Sequence, residues 1–199
     1  MGQVREPIKT ASIEKKNNII SAGLNLFCEK GYYNTTTPEI AKKANVSTGI
    51  VYSYFKDKKD IFLQSLPLYF DKLYRKLLSH IKEEKFDNLK NTISSVIDLT
   101  TASHTANANA HEEMIAMSHL DEDVHQQFML AEQKLTFTIN DALTANNIHI
   151  NNAIEKIHIA YNLVENYCHE YVFHRHDFID YKKMKEVVID EILHLLETK

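Results

Sequence analysis

Apolar residues recur at helical spacing along almost the whole chain, and no stretch alternates apolar and polar positions long enough to make a strand. Ile13, Ile20, Leu24 and Phe27 lie on one stripe of a helix predicted over residues 10–30, with Gly31 as its carboxy-terminal stop. A short helix follows. Thr36 and Glu39 are spaced for a reciprocal capping box, and Pro38 falls in the first turn, where a missing N–H costs nothing. Ile40, Ala41 and Ala44 share one face, opposite Lys42 and Lys43. This helix is expected to end at Asn45, because asparagine tolerates the left-handed backbone that helix ends use. Val46 then turns inward and Ser47 caps another short helix, on which Val51 and Phe55, four apart, face a core.

Longer helices are predicted beyond this pair. The first runs from about Asp57 to Glu84 with Ile61, Phe62, Leu66, Tyr69, Phe70, Leu73, Leu77 and Ile81 as its apolar positions. Pro67 removes one backbone hydrogen bond inside it, so a bend or local weakening is expected there. Further helices are expected over residues 86–103, 109–118, 121–145, 151–176 and 180–197. The predicted class is all-α, about nine helices, with a three-helix unit over residues 1–56 and a larger helical domain over 57–199.

A short helix, a tight turn and a second short helix form the helix-turn-helix plan, whose second helix enters the major groove of DNA. The outer side of that second helix carries Thr48, Gly49, Tyr52 and Ser53. Hydroxyls can meet phosphates or base edges, and a glycine lets the sugar-phosphate backbone approach closely. Lys56, Lys58 and Lys59 follow at once, adding salt-dependent affinity. Lys9, Lys15 and Lys16 are further candidates for backbone contact.

This segment is similar to the amino-terminal domain of TetR-family transcriptional repressors. That family's pattern runs Gly-Tyr, a Thr pair, Ile-Ala, Ala-Gly-Val-Ser, Gly, Tyr-x-Tyr/His-Phe and Lys. This chain shows Gly31-Tyr32, Thr35-Thr36, Ile40-Ala41, Ala44-Asn45-Val46-Ser47, Gly49, Tyr52-Ser53-Tyr54-Phe55 and Lys58 in the same order. Asn45 stands where the family usually has glycine, the mildest change available at a positive φ. The resemblance is specific over about Ile19 to Phe62.

It implies a homodimer on a palindromic operator in double-stranded DNA. The expected contacts are Thr36, Thr37, Tyr52, Tyr54, Lys56 and Lys58 to phosphates, with Thr48, Gly49 and Ser53 toward bases or backbone and Ser47 opening the recognition helix. It also implies dimerisation through the last two helices, where Ile157, Tyr161, Val164, Tyr171, Val188, Ile192 and Leu195 are the expected interface residues. An effector site is implied in the carboxy-terminal domain, and Tyr69, Phe70, His104, Met114, Met117, Phe128, Phe137 and Tyr161 are the candidates for its lining.

Charge agrees with this division. The chain of 199 residues has a formal net charge of −4. Residues 1–60 hold 10 Lys+Arg against 6 Asp+Glu, and the remainder holds 13 against 21. Attraction for DNA is therefore concentrated at one end. Only 4 Gly and 3 Pro punctuate the chain, which favours long helices. Cys28 and Cys168 form no metal-knuckle spacing and are expected to be reduced thiols. With no apolar amino-terminal core and no run of membrane-spanning length, a soluble, cytoplasmic protein is expected.

Histidine is abundant at 11 residues, and His104, His111 and His119, or Cys168-His169 with His174 and His176, could be read as metal or haem ligands. His111-Glu112 opens like a zinc-protease motif, but Ile115 stands where its second histidine belongs, and no CxxCH occurs. No metal ligands and no cofactor are assigned. No nucleophile motif or phosphate loop is present, so no enzyme is expected. Two alternatives stay open: a metal- or haem-sensing regulator using the histidine clusters, and a constitutive DNA-binding protein without an effector.

Overall fold

The computed structural model describes residues 10–83, 88–106 and 108–196; Lys9 and the expected helix start at Phe86 lie outside them. Nine helices occur among the described residues: α1 (Thr10–Lys30), α2 (Thr37–Lys43), α3 (Thr48–Tyr54), α4 (Lys58–Glu83), α5 (Leu89–Ala106), α6 (Ala108–Leu120), α7 (Glu122–Ala145), α8 (Ala153–Phe173) and α9 (Tyr181–Leu196). The class is all-α. None of the described helices is long and apolar enough to cross a membrane.

The chain forms two compact units, and neither is a continuous stretch of sequence. Among the described residues, unit 1 comprises 10–71 and 109–129, and unit 2 comprises 72–83, 88–106, 108 and 130–196. By packing, α6 and the start of α7 therefore join the amino-terminal helices, where the expected division was a single cut after residue 56. Two of the three divisions, after residues 71 and 129, fall well inside α4 and α7, because nothing in the local sequence stops a helix there, and the third falls at the first residue of α6. Pro67 lies inside α4, one turn before the first division.

In unit 1 the core gathers Ile19, Leu24 and Phe27 of α1, Ile40 of α2, Val51 of α3, Phe55 just beyond it, and Ile61, Phe62 and Leu66 of α4. Phe27 and Phe62 meet edge to face at 5.2 Å between ring centres, an arrangement that adds about 0.5–1.5 kcal/mol beyond burial. A side chain at Gly23 would strike Ile61, so glycine there permits α1 and α4 to approach. Ile13, expected on the same stripe of α1, is 44% exposed, since burial on this helix begins only at Ile19.

Unit 2 packs α5, α8 and α9 against one another around Ile93, Ile97, Val164, Tyr167, Cys168, Val188, Ile189 and Ile192. Lys90–Asp190 and Lys185–Asp98 ion pairs, at 3.0 and 2.7 Å, tie the outer edges of α5 and α9. Burial pushes the Cys168 thiol up to about 12, so it behaves as a small packed apolar group and an inert thiol.

Candidate nucleic-acid interface

The turn between α2 and α3 follows from a few local interactions. At the start of α2, Glu39 accepts from the backbone N–H of Thr36 at 2.9 Å and from its hydroxyl at 2.7 Å. Lys30 reaches the other oxygen of the same carboxylate at 2.6 Å. The Lys30 ammonium first, and then the Thr36 hydroxyl and N–H, hold the Glu39 carboxyl down at about 2. Ala44 closes α2, and Asn45 adopts φ 54°, the left-handed conformation expected of it. The N–H of Val46 bonds back to the carbonyl of Ala41 at 3.0 Å, satisfying an end carbonyl as in a Schellman motif. Ser47 then accepts from the N–H of Ile50 and caps α3.

These bonds set the face of α3. Val51 and Phe55 are fully buried, which turns Gly49, Tyr52 and Ser53 outward and leaves Thr48 half-buried. Tyr52 is 53% exposed. A Cβ built at Gly49 meets only the Ser47 hydroxyl, at 3.9 Å, so the surface there is open. Lys56 is exposed just past the helix.

Other expected contacts are placed differently. Tyr54 is buried, and its hydroxyl shares a 2.7 Å hydrogen bond with Ser12 of α1, because the residue after Ser53 on a helix already points back toward the core. Thr37 is buried as well. The Lys58 ammonium donates to the carbonyls of Tyr32 and Thr35 at 2.7 and 2.8 Å and lies 4.2 Å from the Tyr32 ring centre. Burial lowers its pKa, partly offset by the Glu113 charge. The ammonium is half-buried, and its donors point inward. The hydroxyl hydrogens of Thr36 and Ser53 are likewise directed to Glu39 and to the carbonyl of Ile50. Of the expected set, Gly49, Tyr52, Ser53 and Lys56 thus form the outward surface, with the half-buried Thr48 and the exposed Ser47 and Thr36 beside it.

Sequence reasoning missed the groups that brace this surface from behind. Glu113 of α6 accepts from the N–H of Tyr32 and lies against Gly31, whose φ of 85° and lack of a Cβ admit the carboxylate. Lys59 pairs with Asp121 at 2.7 Å and Asp123 at 2.8 Å, and both carboxylates raise its pKa. No spacing rule could have joined partners more than 60 residues apart.

The expected effector-lining residues separate between the units. Tyr69, Phe70, Met114, Met117 and Phe128 belong to unit 1, where Phe70, Met114 and Met117 are buried and Phe70 meets Phe128 at 4.9 Å. His104, Phe137 and Tyr161 belong to unit 2, and Phe137 is 46% exposed. Around Tyr161, unit 2 gathers Tyr74, Glu132 and Glu165. Burial first, then the two carboxylates and a hydrogen bond with Tyr74, push its phenol well above the usual range. Of the expected dimer residues, Ile157, Val164, Val188 and Ile192 are buried within the protomer, while Tyr161, Tyr171 and Leu195 are partly exposed.

The geometry agrees with comparison to known proteins. Residues 19–64 match the family described as bacterial regulatory proteins, tetR family. Over those residues the chain is similar to the amino-terminal domain of that family. The chain is 53% identical over 53 residues, 27% of its length, to the HTH-type transcriptional regulator HbdR of Aromatoleum sp. (strain CIB). It is 43% identical over 58 residues, 29% of its length, to IcaR of Staphylococcus aureus (strain Newman), the HTH-type negative transcriptional regulator of the biofilm operon icaADBC. The matched segments span only 23% and 31% of those relatives' own lengths. The whole fold resembles the crystal structure of a tetR-family transcriptional regulator from Streptomyces coelicolor, with a TM-score of 0.67, 15% identity and coverage of 92% of this chain and 80% of that one.

Proposed function

We propose that this chain is a homodimeric transcriptional repressor of the TetR type, acting in the cytoplasm on a palindromic operator. The observation that carries the reading is the exposed side of α3, where Gly49, Tyr52 and Ser53 stand out beside the half-buried Thr48, with Lys56 just past the helix, in a segment similar to the tetR-family domain whose apolar side is closed. Each protomer would place α3 in one of two successive major grooves about 34–36 Å apart. Tyr52 and Lys56 hold phosphates and fix register. Thr48 and Gly49 approach bases or backbone, and only such contacts can select sequence. IcaR, a negative regulator, supports repression as the sign.

A small-molecule inducer would bind within unit 2, where the buried Tyr74 and the half-buried Glu132, Tyr161 and Glu165 supply polar anchors in an apolar helical setting. Its binding would act through α4, the helix that continues from one unit into the other and contains Pro67. Because such coupling is reciprocal, operator DNA weakens inducer binding by the same factor. The partner-facing surface of α8 and α9 is drawn from their open positions, including Tyr161, Tyr171, Leu195 and the exposed Ile159 and Val187, since four of the expected residues already serve the home core.

Selecting bound fragments from the source genome tests the reading. The expected result is a two-fold symmetric site protected by a dimer, and Tyr52→Phe weakening binding to all duplexes by a similar factor of about 10, the worth of one hydrogen bond to a charged group. A chain that stays monomeric, or that holds no fragment better than random duplex at physiological ionic strength, overturns it.

A further inference from the structure

Unit 2 contains a cluster that the DNA-binding reading does not use. Glu165 and His169 lie four residues apart on α8 and so share one face, and His104 of α5 packs opposite them. His104 is 2% exposed. Its Nδ1 lies 2.8 Å from the carbonyl of Thr100, and because a carbonyl only accepts, Nδ1 carries a proton. In the neutral ring the lone pair is then on Nε2, which lies 3.2 Å from Glu165 Oε2. The His169 ring stands edge to face with His104 at 5.1 Å, and one ligand atom from each of the three residues lies within 4.8 Å of the others.

Two acceptor atoms this close favour a positive charge beside them. A proton would satisfy His104 and Glu165 as an ion pair, whereas a cation would also use His169, whose ligand atom lies within 4.8 Å of theirs. A cation satisfies all three. We propose that His104, Glu165 and His169 form a binding site for one divalent transition-metal ion of the zinc, cobalt or nickel kind. Two imidazole nitrogens and one carboxylate suit such ions, whereas magnesium and calcium prefer oxygen donors alone. Metal–ligand distances of about 2.0–2.2 Å put neighbouring ligand atoms of a tetrahedral site about 3.3 Å apart, a spacing the His104–Glu165 pair already has. The Nδ1–Thr100 bond is the outer partner that fixes a metal-bound histidine's tautomer and orientation. Phe173, with its ring centre 5.3 Å from that of His169 and 6.4 Å from that of His104, gives the site an apolar wall.

The test uses the full untagged chain, stripped with chelator, in the absence of DNA, so its outcome does not depend on the operator reading. Titration with Co2+ is expected to give one ion bound per chain, with the visible absorption of a low-symmetry nitrogen- and oxygen-ligated ion, displaced by Zn2+. Glu165→Gln and His169→Gln, both at partly exposed positions, are expected each to weaken that binding by at least the roughly 10-fold that even an outer-shell partner is worth, with circular dichroism and unfolding midpoint of the metal-free protein retained. Equal Co2+ affinity in wild type and both variants would assign the uptake to surface histidines and overturn the site. Absence of stoichiometric uptake by the wild type would also overturn it and leave His104–Glu165 as an imidazolium–carboxylate pair.

Discussion

In unit 1 the hydroxyls and lysines around α2 and α3 stand at the surface or close short loops of backbone, whereas in unit 2 His104, Tyr161 and Glu165 are drawn together between helices. The turn at the centre of the first arrangement is made by neighbours in sequence, while Tyr54, Lys58 and Lys59 reach more distant partners. Thr36 meets Glu39, Asn45 turns the chain and Ser47 meets Ile50. The second joins α5 to α8 across some 60 residues. A surface for a large rigid partner such as duplex DNA can be built from local rules, because the partner supplies the rest of the geometry. A site that encloses a small ligand must bring its groups from several helices, and so depends on packing.

Three substitutions break or sharpen this contrast. The largest effect is expected from Phe62→Ala, which removes a fully buried ring lying against Phe27. It should lower the stability of the fold by about 3–5 kcal/mol and abolish DNA binding with it. A loss under about 1 kcal/mol on urea unfolding would show that the recognition surface does not rest on this core.

Gly49→Ala separates stability from recognition. The site is open in the protomer, and alanine is the better helix former, so the fold should gain up to about 1 kcal/mol. Operator affinity should nevertheless fall, because the methyl group stands where the DNA backbone approaches. Unchanged affinity by fluorescence anisotropy, with a raised unfolding midpoint, would remove Gly49 from the contact surface.

The smallest effect concerns Glu39. Its folded carboxyl is lowered from 4.5 to about 2, chiefly by Lys30. A depressed acid contributes its stabilisation in full above its unfolded pKa and loses it as pH falls through the folded one. The wild type should therefore exceed Glu39→Gln in stability at neutral pH, with the difference shrinking below about pH 4.5 and vanishing near pH 2. High salt should reduce it too, since both partners are partly exposed. Parallel pH profiles for the two proteins would show that this contact does not hold the start of α2.

Legibility followed the same line. The helix-turn-helix could be read because each of its parts is a short-range rule: a cap, a proline in a first turn, an asparagine at positive φ, apolar residues four apart. The long helices were readable for a similar reason, and their ends shift by only a few residues, as α8 does from the expected 151–176 to Ala153–Phe173. The inward turn of Tyr54, the clamping of Lys58 by two carbonyls and the seating of Glu113 at Gly31 were not legible. Glu165 and His169 share a helical spacing that a search for i, i+4 ligand pairs would have found, but nothing in that spacing points to His104.

By itself, then, the order of residues determined an all-helical chain with a capped and cornered pair of short helices and a positive end. Helical hydrogen bonds and caps reach only three to five residues, so those features needed no knowledge of the rest. Only the tertiary structure decided which hydroxyls and lysines still face outward, which apolar residues of α8 and α9 close the home core, and which histidine meets which carboxylate. Those choices depend on how side chains from distant helices exclude water together, and that is a property of packing rather than of spacing.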